Sequence, residues 1–226
     1  RFSPEAQALK QLATDGALGE PYHAYTRWTR RHGLPRFGGW FGRKELSNGG
    51  PLIDLGVHRL DLALWLMGGP RPLAVSGMTH ERLAAPLAQA QGKAFDVEDF
   101  ASGFVRLEGG ASRIFETSWI GHQAARESMY TRVMGTAGSL VQTNDDDFYR
   151  SRAFYYHERH GQMLSSEVHP HETDARNAYV RMVEAIRDDA PPPTGPGDGI
   201  RIQQVLDCLY QSAREGREVE VPALDD

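Results

Sequence analysis

Asp54 and His58 stand four residues apart in the segment 51–61, which reads PLIDLGVHRLD. Read as a helix, the segment puts Asp54, His58, Asp61 and Trp65 at i, i+4, i+7 and i+11, on one stripe. Ile53, Val57, Leu60, Leu64 and Met67 form a second stripe with the same spacing, and Leu55, Leu62, Ala63 and Leu66 fill much of the remainder. A helix this apolar is expected to be buried. A carboxylate and an imidazole inside it need a reason to be there. A carboxylate one turn from a histidine can orient the ring and favour its charged form, which is the local equipment of a general acid/base. The plainer alternative is a buried ion pair or a helix-start cap. Asp61 has several roles open to it: a cap, a partner for Arg59 or Arg30, or a hold on the His58 ring. Trp65 reads as core.

The elements that must position these groups follow from local signals. Ser3-Pro4 opens a helix, with Ser3 as N-cap and Pro4 at the first helical position, and Gly16 stops it. Residues 21–31 alternate as a strand, with Tyr22, Ala24, Thr26 and Trp28 on one face. Residues 32–51 hold six glycines and two prolines and read as a long loop. Residues 72–80, 97–107 and 111–120 read as strands, the last two joined through Glu108-Gly109-Gly110. Residues 128–134 and 138–143 form another pair, Asn144 to Asp147 an acidic turn, and 148–157 a further strand. Residues 81–95, rich in Ala and Gln, read as a surface excursion. Ala175, Ala178, Tyr179, Met182, Val183 and Ile186 keep the helical period. Pro191 to Gly199 breaks it. A last helix carries Ile202, Val205, Leu206, Leu209 and Ala213 and closes at Gly216, and Val219 to Val221 add an edge strand.

Consecutive strands joined by hairpin signals, with helices before and after, predict an α+β fold: an open, predominantly antiparallel β-sheet with helices packed on one face. Phe104, Ile114, Phe115 and Trp119 do not all fit on one side of their strands. The open face is therefore expected to be covered in a homo-oligomer.

The 226 residues suit one large domain, or one domain with an appendage. Forty per cent are hydrophobic and 24% charged, with a net charge of −5. No Lys/Arg run is long enough to track phosphates, so a nucleic-acid partner is not expected. No apolar run reaches membrane-spanning length. Cys208 is the single cysteine, which rules out an internal disulfide and a cysteine zinc site. A reducing, cytoplasmic setting is the expectation. His157, His160, His169 and His171 lack a carboxylate at a spacing that completes a metal site, so no metal is expected. Around the long loop and the strand ends, Arg30, Trp40 and Trp119 are candidates for substrate contact. His32, Phe41 and His122 stand next to them. The plainer readings are a solvated strand end, a stapled loop and core packing.

Residues 48–61, NGGPLIDLGVHRLD, followed by Trp65-Leu66-Met67-Gly68, resemble the G-G-G-x-L-x-D-x-G-x-H-x-x-D signature of the Gfo/Idh/MocA oxidoreductases, relatives of glucose–fructose oxidoreductase and inositol dehydrogenase. Arg1-Phe2-Ser3-Pro4 with Gly16-Ala17-Leu18-Gly19 resembles the opening of their second domain. Glu98-Asp99-Phe100, Glu116-Thr117-Ser118-Trp119 and residues 135–140 resemble their sheet strands, and residues 207–219 their last helix. Asn48 departs from the pattern, standing where the family usually has its first glycine. The resemblance covers nearly the whole chain and implies that residues 1–226 are a single C-terminal substrate-binding and oligomerisation domain. In such a family the dinucleotide belongs to an N-terminal Rossmann domain. Its G-x-G-x-x-G turn does not occur here, and Gly195-Pro196-Gly197-Asp198-Gly199 follows no strand. The chain alone is expected neither to hold a dinucleotide nor to turn over.

Carried over by position, Asp54 and His58 match the family's catalytic carboxylate and histidine. The resemblance implies oxidation of a secondary alcohol of a sugar, cyclitol or similar polyol, with NAD or NADP bound mainly by the other domain. His58 would be the base or part of its relay, and Asp54 would orient it. Two other classes stay open on the sequence: a stand-alone, non-catalytic dimerisation or carbohydrate-binding module, and a metal-dependent sugar isomerase or epimerase.

Overall fold

The computed structural model describes residues 1–145, 150–170 and 177–223. The chain opens with α1 (Pro4–Thr14), whose first turn is capped by the Ser3 hydroxyl accepting from Ala6 N at 3.2 Å. β1 (Pro21–Arg30) follows. The long segment after it carries a 3₁₀ turn at Trp40–Gly42 and the one-turn α2 (Lys44–Ser47), then leads into α3 (Val57–Leu66) through a π-turn at Leu52–Gly56. β2 (Pro72–His80) and α4 (Ala84–Ala90) precede three hairpins' worth of strands: β3 (Phe100–Leu107), β4 (Ser112–Ser118), β5 (Glu127–Gly135), β6 (Gly138–Asn144), β7 (Ser151–Arg159) and β8 (Gln162–Val168). α5 (Ala178–Arg187), α6 (Pro196–Glu215) and β9 (Val219–Glu220) complete it.

The strands form one sheet in the order β8-β7-β6-β5-β1-β4-β3-β2-β9. Every pairing is antiparallel except β1 with β4, so the α+β fold with its open, mostly antiparallel sheet is as expected. Strand alternation divides the side chains. Ala24, Thr26, Phe115, Val105, Val133 and Leu140 point under α1, α3 and α6 into the main core. Tyr25, Phe104, Ile114 and Tyr130 take the other parity and lie on the open face. Ile114 is 43% exposed and Met78 49%.

Three local readings change. Residues 81–95 contain α4 rather than an unpatterned excursion: Ala84 and Ala88, one turn apart, are buried against a second core of Leu55, Phe95, Val97 and Trp119. Small side chains buried by close approach leave no apolar period to read. The strand β8 carries no strand signal in its sequence, because its residues are mostly exposed and polar. It is set by a two-residue turn in which His160 and Gly161 both take positive φ, the geometry of a tight hairpin. α6 begins inside the expected breaker, at Pro196, a residue suited to a first helical turn. The proposed turn at 144–147 and the helical start at Ala175 lie partly or wholly outside the described residues, as does His171.

Candidate active site

The segment 48–58 is shaped by the sheet rather than by its own helical propensity. Asn48 sits at φ 66°, the left-handed conformation that glycine favours and asparagine tolerates. Gly50 is unavoidable: a Cβ there would fall 2.0 Å from the Glu98 carbonyl oxygen. The Glu98 carboxylate, buried at 4% exposure, accepts from Gly50 N at 2.9 Å, Leu52 N at 3.0 Å and the Tyr210 hydroxyl at 2.8 Å. It thus caps the helix start from across the fold, where free N–H groups and the helix dipole favour an anion. Burial pushes the Glu98 carboxyl up, against these three donors. The Thr117 hydroxyl on β4 donates to Pro51 O at 3.0 Å.

The π-turn is the main departure from the sequence reading. Val57 N reaches back to Leu52 O, an i→i+5 bond, so the turn is wider than the 3.6-residue spacing assumed for the stripe. The Asp54 carboxylate accordingly goes to the residue just past β4: its Oδ2 accepts from Trp119 Nε1 at 2.8 Å. Among the described residues no hydrogen bond joins Asp54 to His58. Asp61 is taken by none of its expected partners. Arg1 holds it, with Nε on Oδ2 at 2.7 Å and Nη2 on Oδ1 at 2.5 Å. Trp65 packs beneath Arg1 and Lys10.

His58 keeps exposed surface. Its ring lies against Trp28, centroids 5.7 Å apart and planes at 47°. Enough protein surrounds the ring for desolvation to hold its pKa below the ordinary imidazole value. Asp54 and Asp61 oppose that shift and Arg59 adds to it. The ring is therefore neutral at pH 7, with a nitrogen able to take a proton.

The remaining candidates are distributed as follows. Arg30, at the end of β1, donates from Nε to Glu127 at 2.8 Å and lies over Trp28. Trp119 is 1% exposed, so its ring offers no surface to a ligand, and its nitrogen holds Asp54 instead. Trp40 is 60% exposed and meets Phe41 edge-on at 4.8 Å, while Phe41 stacks on Trp119 at 5.4 Å. The loop is thus stapled by Phe41, leaving Trp40 outside. His122 lines a cavity of about 340 Å³ with Arg27, His80 and Glu116, on the open face, away from Asp54 and His58. Sequence reasoning missed Trp28, Glu98 and Tyr210. The alternation of β1 places Trp28 on the covered face, but nothing in the strand says which helix residue it meets. Asp54, His58 and Trp28 converge at the C-terminal ends of the parallel pair β1–β4, on the helix-covered side.

The N-terminus of α6, where the glycine-rich string lies, is already closed by Asp198, which accepts from Gly195 N at 3.3 Å and from Arg1. A phosphate would meet a carboxylate there. Among the described residues no group of three or more His, Cys, Asp or Glu side chains could hold a metal ion.

This arrangement defines an α+β domain: an open sheet, helices on one face, and Asp54 and His58 near the strand ends. Residues 6–141 match the GFO/IDH/MocA C-terminal domain, and the chain belongs to that family of oxidoreductases. It is 31% identical to D-glucoside 3-dehydrogenase of Escherichia coli (strain K12) over 98% of its own length and 62% of the relative's. It is 27% identical to D-apiose dehydrogenase of Paraburkholderia graminis, over 100% of this chain and 58% of that one. The chain therefore spans less than two thirds of these curated relatives. In fold it is similar to levoglucosan dehydrogenase in complex with NADH and levoglucosan, with a TM-score of 0.84 at 18% identity, covering 99% of this chain and 64% of that one.

Proposed function

We propose that residues 1–226 form the C-terminal, substrate-binding part of an oxidoreductase that acts on a secondary alcohol of a sugar, cyclitol or similar polyol. The observation that carries this reading is His58: exposed, held neutral by its surroundings, and next to an Asp54 fixed by Trp119. The activities named for the relatives support the substrate class.

Oxidising such an alcohol removes a hydride from carbon and a proton from oxygen. NAD or NADP, held outside these residues, supplies the hydride acceptor when bound. The chain's own work is the proton and the placement. A ring nitrogen of His58 accepts the hydroxyl proton as the carbonyl forms. Asp54 Oδ2 is tied to Trp119, which leaves Oδ1 to accept from a substrate hydroxyl and fix the sugar's orientation. In the reductive direction the protonated ring returns the proton. The open face, with Tyr25, Phe104, Ile114 and Met78, serves in this reading as the surface for a second copy, and the setting is cytoplasmic.

The test uses the intact protein with NAD and NADP and a panel of aldoses, glucosides and cyclitols, following reduced cofactor. His58→Ala should lower kcat by about 10²-fold or more with KM nearly constant, the loss expected of a missing general base. An unchanged kcat overturns the assignment.

A further inference from the structure

We propose that Trp28, anchored by Glu127, is the residue that positions the His58 ring, the task the sequence assigns to Asp54. The inference rests on His58 being the base. Neither nearby acid holds the imidazole: Asp54 is bound to Trp119 and Asp61 to Arg1. Among the described residues no side chain hydrogen-bonds His58, so packing sets its orientation, and Trp28 is the aromatic ring packed against it.

An indole can orient a neighbour only if it is itself fixed, and Trp28 is fixed on several sides. Its Nε1–H donates to Glu127 Oε1 at 2.5 Å, and Arg30 Nε donates to the same oxygen at 2.8 Å. Glu127 is buried and faces Arg30 directly across β1 and β5. The guanidinium carbons of Arg59 and Arg30 lie 5.2 and 5.5 Å from the indole centroid. Arg59 is in turn held by Gln142 Oε1 at 2.9 Å. A rigid aromatic wall with no donor or acceptor directed at the imidazole does two things. It limits the ring's rotation, and it leaves both nitrogens for substrate and relay. It also strips water from one side of the ring, which favours the neutral form. The charged side chains facing His58 are Asp54, Asp61 and Arg59, and desolvation outweighs the two acids.

The experiment uses the full-length enzyme carrying Trp28→Ala, Trp28→Phe or Glu127→Gln. The His58 pKa is read by NMR titration of the imidazole, beside kcat and KM on the substrate that the panel of aldoses, glucosides and cyclitols identifies. Trp28→Ala should raise the His58 pKa by about half a unit as water returns to the ring. It should also lower kcat about tenfold with KM within about twofold, the pattern of lost alignment. Trp28→Phe, which restores a flat ring, should recover kcat to within about threefold, and Glu127→Gln, which loosens the anchor, should fall between the two. Should Trp28→Ala not fold, Trp28→Leu keeps apolar volume and carries the same expectation. An unshifted His58 pKa together with an unchanged kcat in the folded Trp28 variants overturns the inference. The NMR arm needs no turnover. A shifted pKa alongside a harmless His58→Ala would sink the catalytic reading of His58 and leave the positioning role standing.

Discussion

His58 does its proposed work because protein packs around its ring while one side stays open. Its pKa is lowered chiefly by desolvation, so the direction of the pH dependence follows. Alcohol oxidation needs the neutral imidazole. The rate should be at its plateau near pH 7 and fall only as the pH drops through a value below the ordinary imidazole pKa of about 6.5. A pH profile of kcat/KM on the intact enzyme checks this, and an acid limb centred above about 7 would contradict it. Asp54 gives a second prediction at this scale. Trp119→Phe removes one hydrogen bond to a carboxylate, on the order of 1.5–3 kcal/mol of interaction, while keeping an aromatic ring in the core. It frees Asp54 to turn, so kcat should fall about tenfold or more with the fold retained. Retained kcat with a lost indole N–H resonance would show that Asp54 does not need to be held.

The π-turn and its clamp belong to the scale of elements. The π-turn leading into α3 starts where it does because Glu98 caps it, Thr117 holds Pro51 and Gly50 leaves room for the Glu98 carbonyl. Gly50→Ala forces a Cβ into backbone at 2.0 Å, so it should destabilise the protein by about 3 kcal/mol, the upper end of overpacking costs, in denaturant unfolding. Tyr210→Phe deletes one donor to Glu98 and leaves two, costing about 1 kcal/mol. If Gly50→Ala proved neutral, the loop would have room the geometry denies it. The clamp couples α6 to the site: Tyr210 near the end of the chain reaches the turn that presents Asp54 through one carboxylate.

For the whole molecule, the sheet has one face under helices and one face without them. Arg113 and Arg59 are buried on the covered side, their pKa values lowered by burial to about 9 and about 10, so both remain charged at neutrality. The uncovered side carries Tyr25, Phe104, Ile114 and Met78, surface that a lone copy would expose to water. If a second copy covers it, Ile114→Asp with Met78→Asp should shift the intact protein to a smaller species in sedimentation velocity, with secondary structure unchanged. An unaltered sedimentation coefficient would remove this face from the assembly.

The sequence alone determined the elements whose signals are local. Ser3-Pro4 starts α1, Gly216 ends α6, and period-two runs give most of the strands, because caps, left-handed turns and alternation act over a few residues. It also singled out Asp54 and His58 as the candidates for chemistry, since they stand in a spacing that a shared family motif makes legible. It could not determine who holds whom. A π-turn has no residue signature, yet it turns Asp54 from His58 towards Trp119, just past β4. Trp28 meets His58 only because α3 crosses β1, and Glu98 caps a helix 46 residues away in sequence from Leu52. Side-chain partners of this kind are fixed by packing between elements, where sequence distance carries no information, and only the tertiary structure decided them.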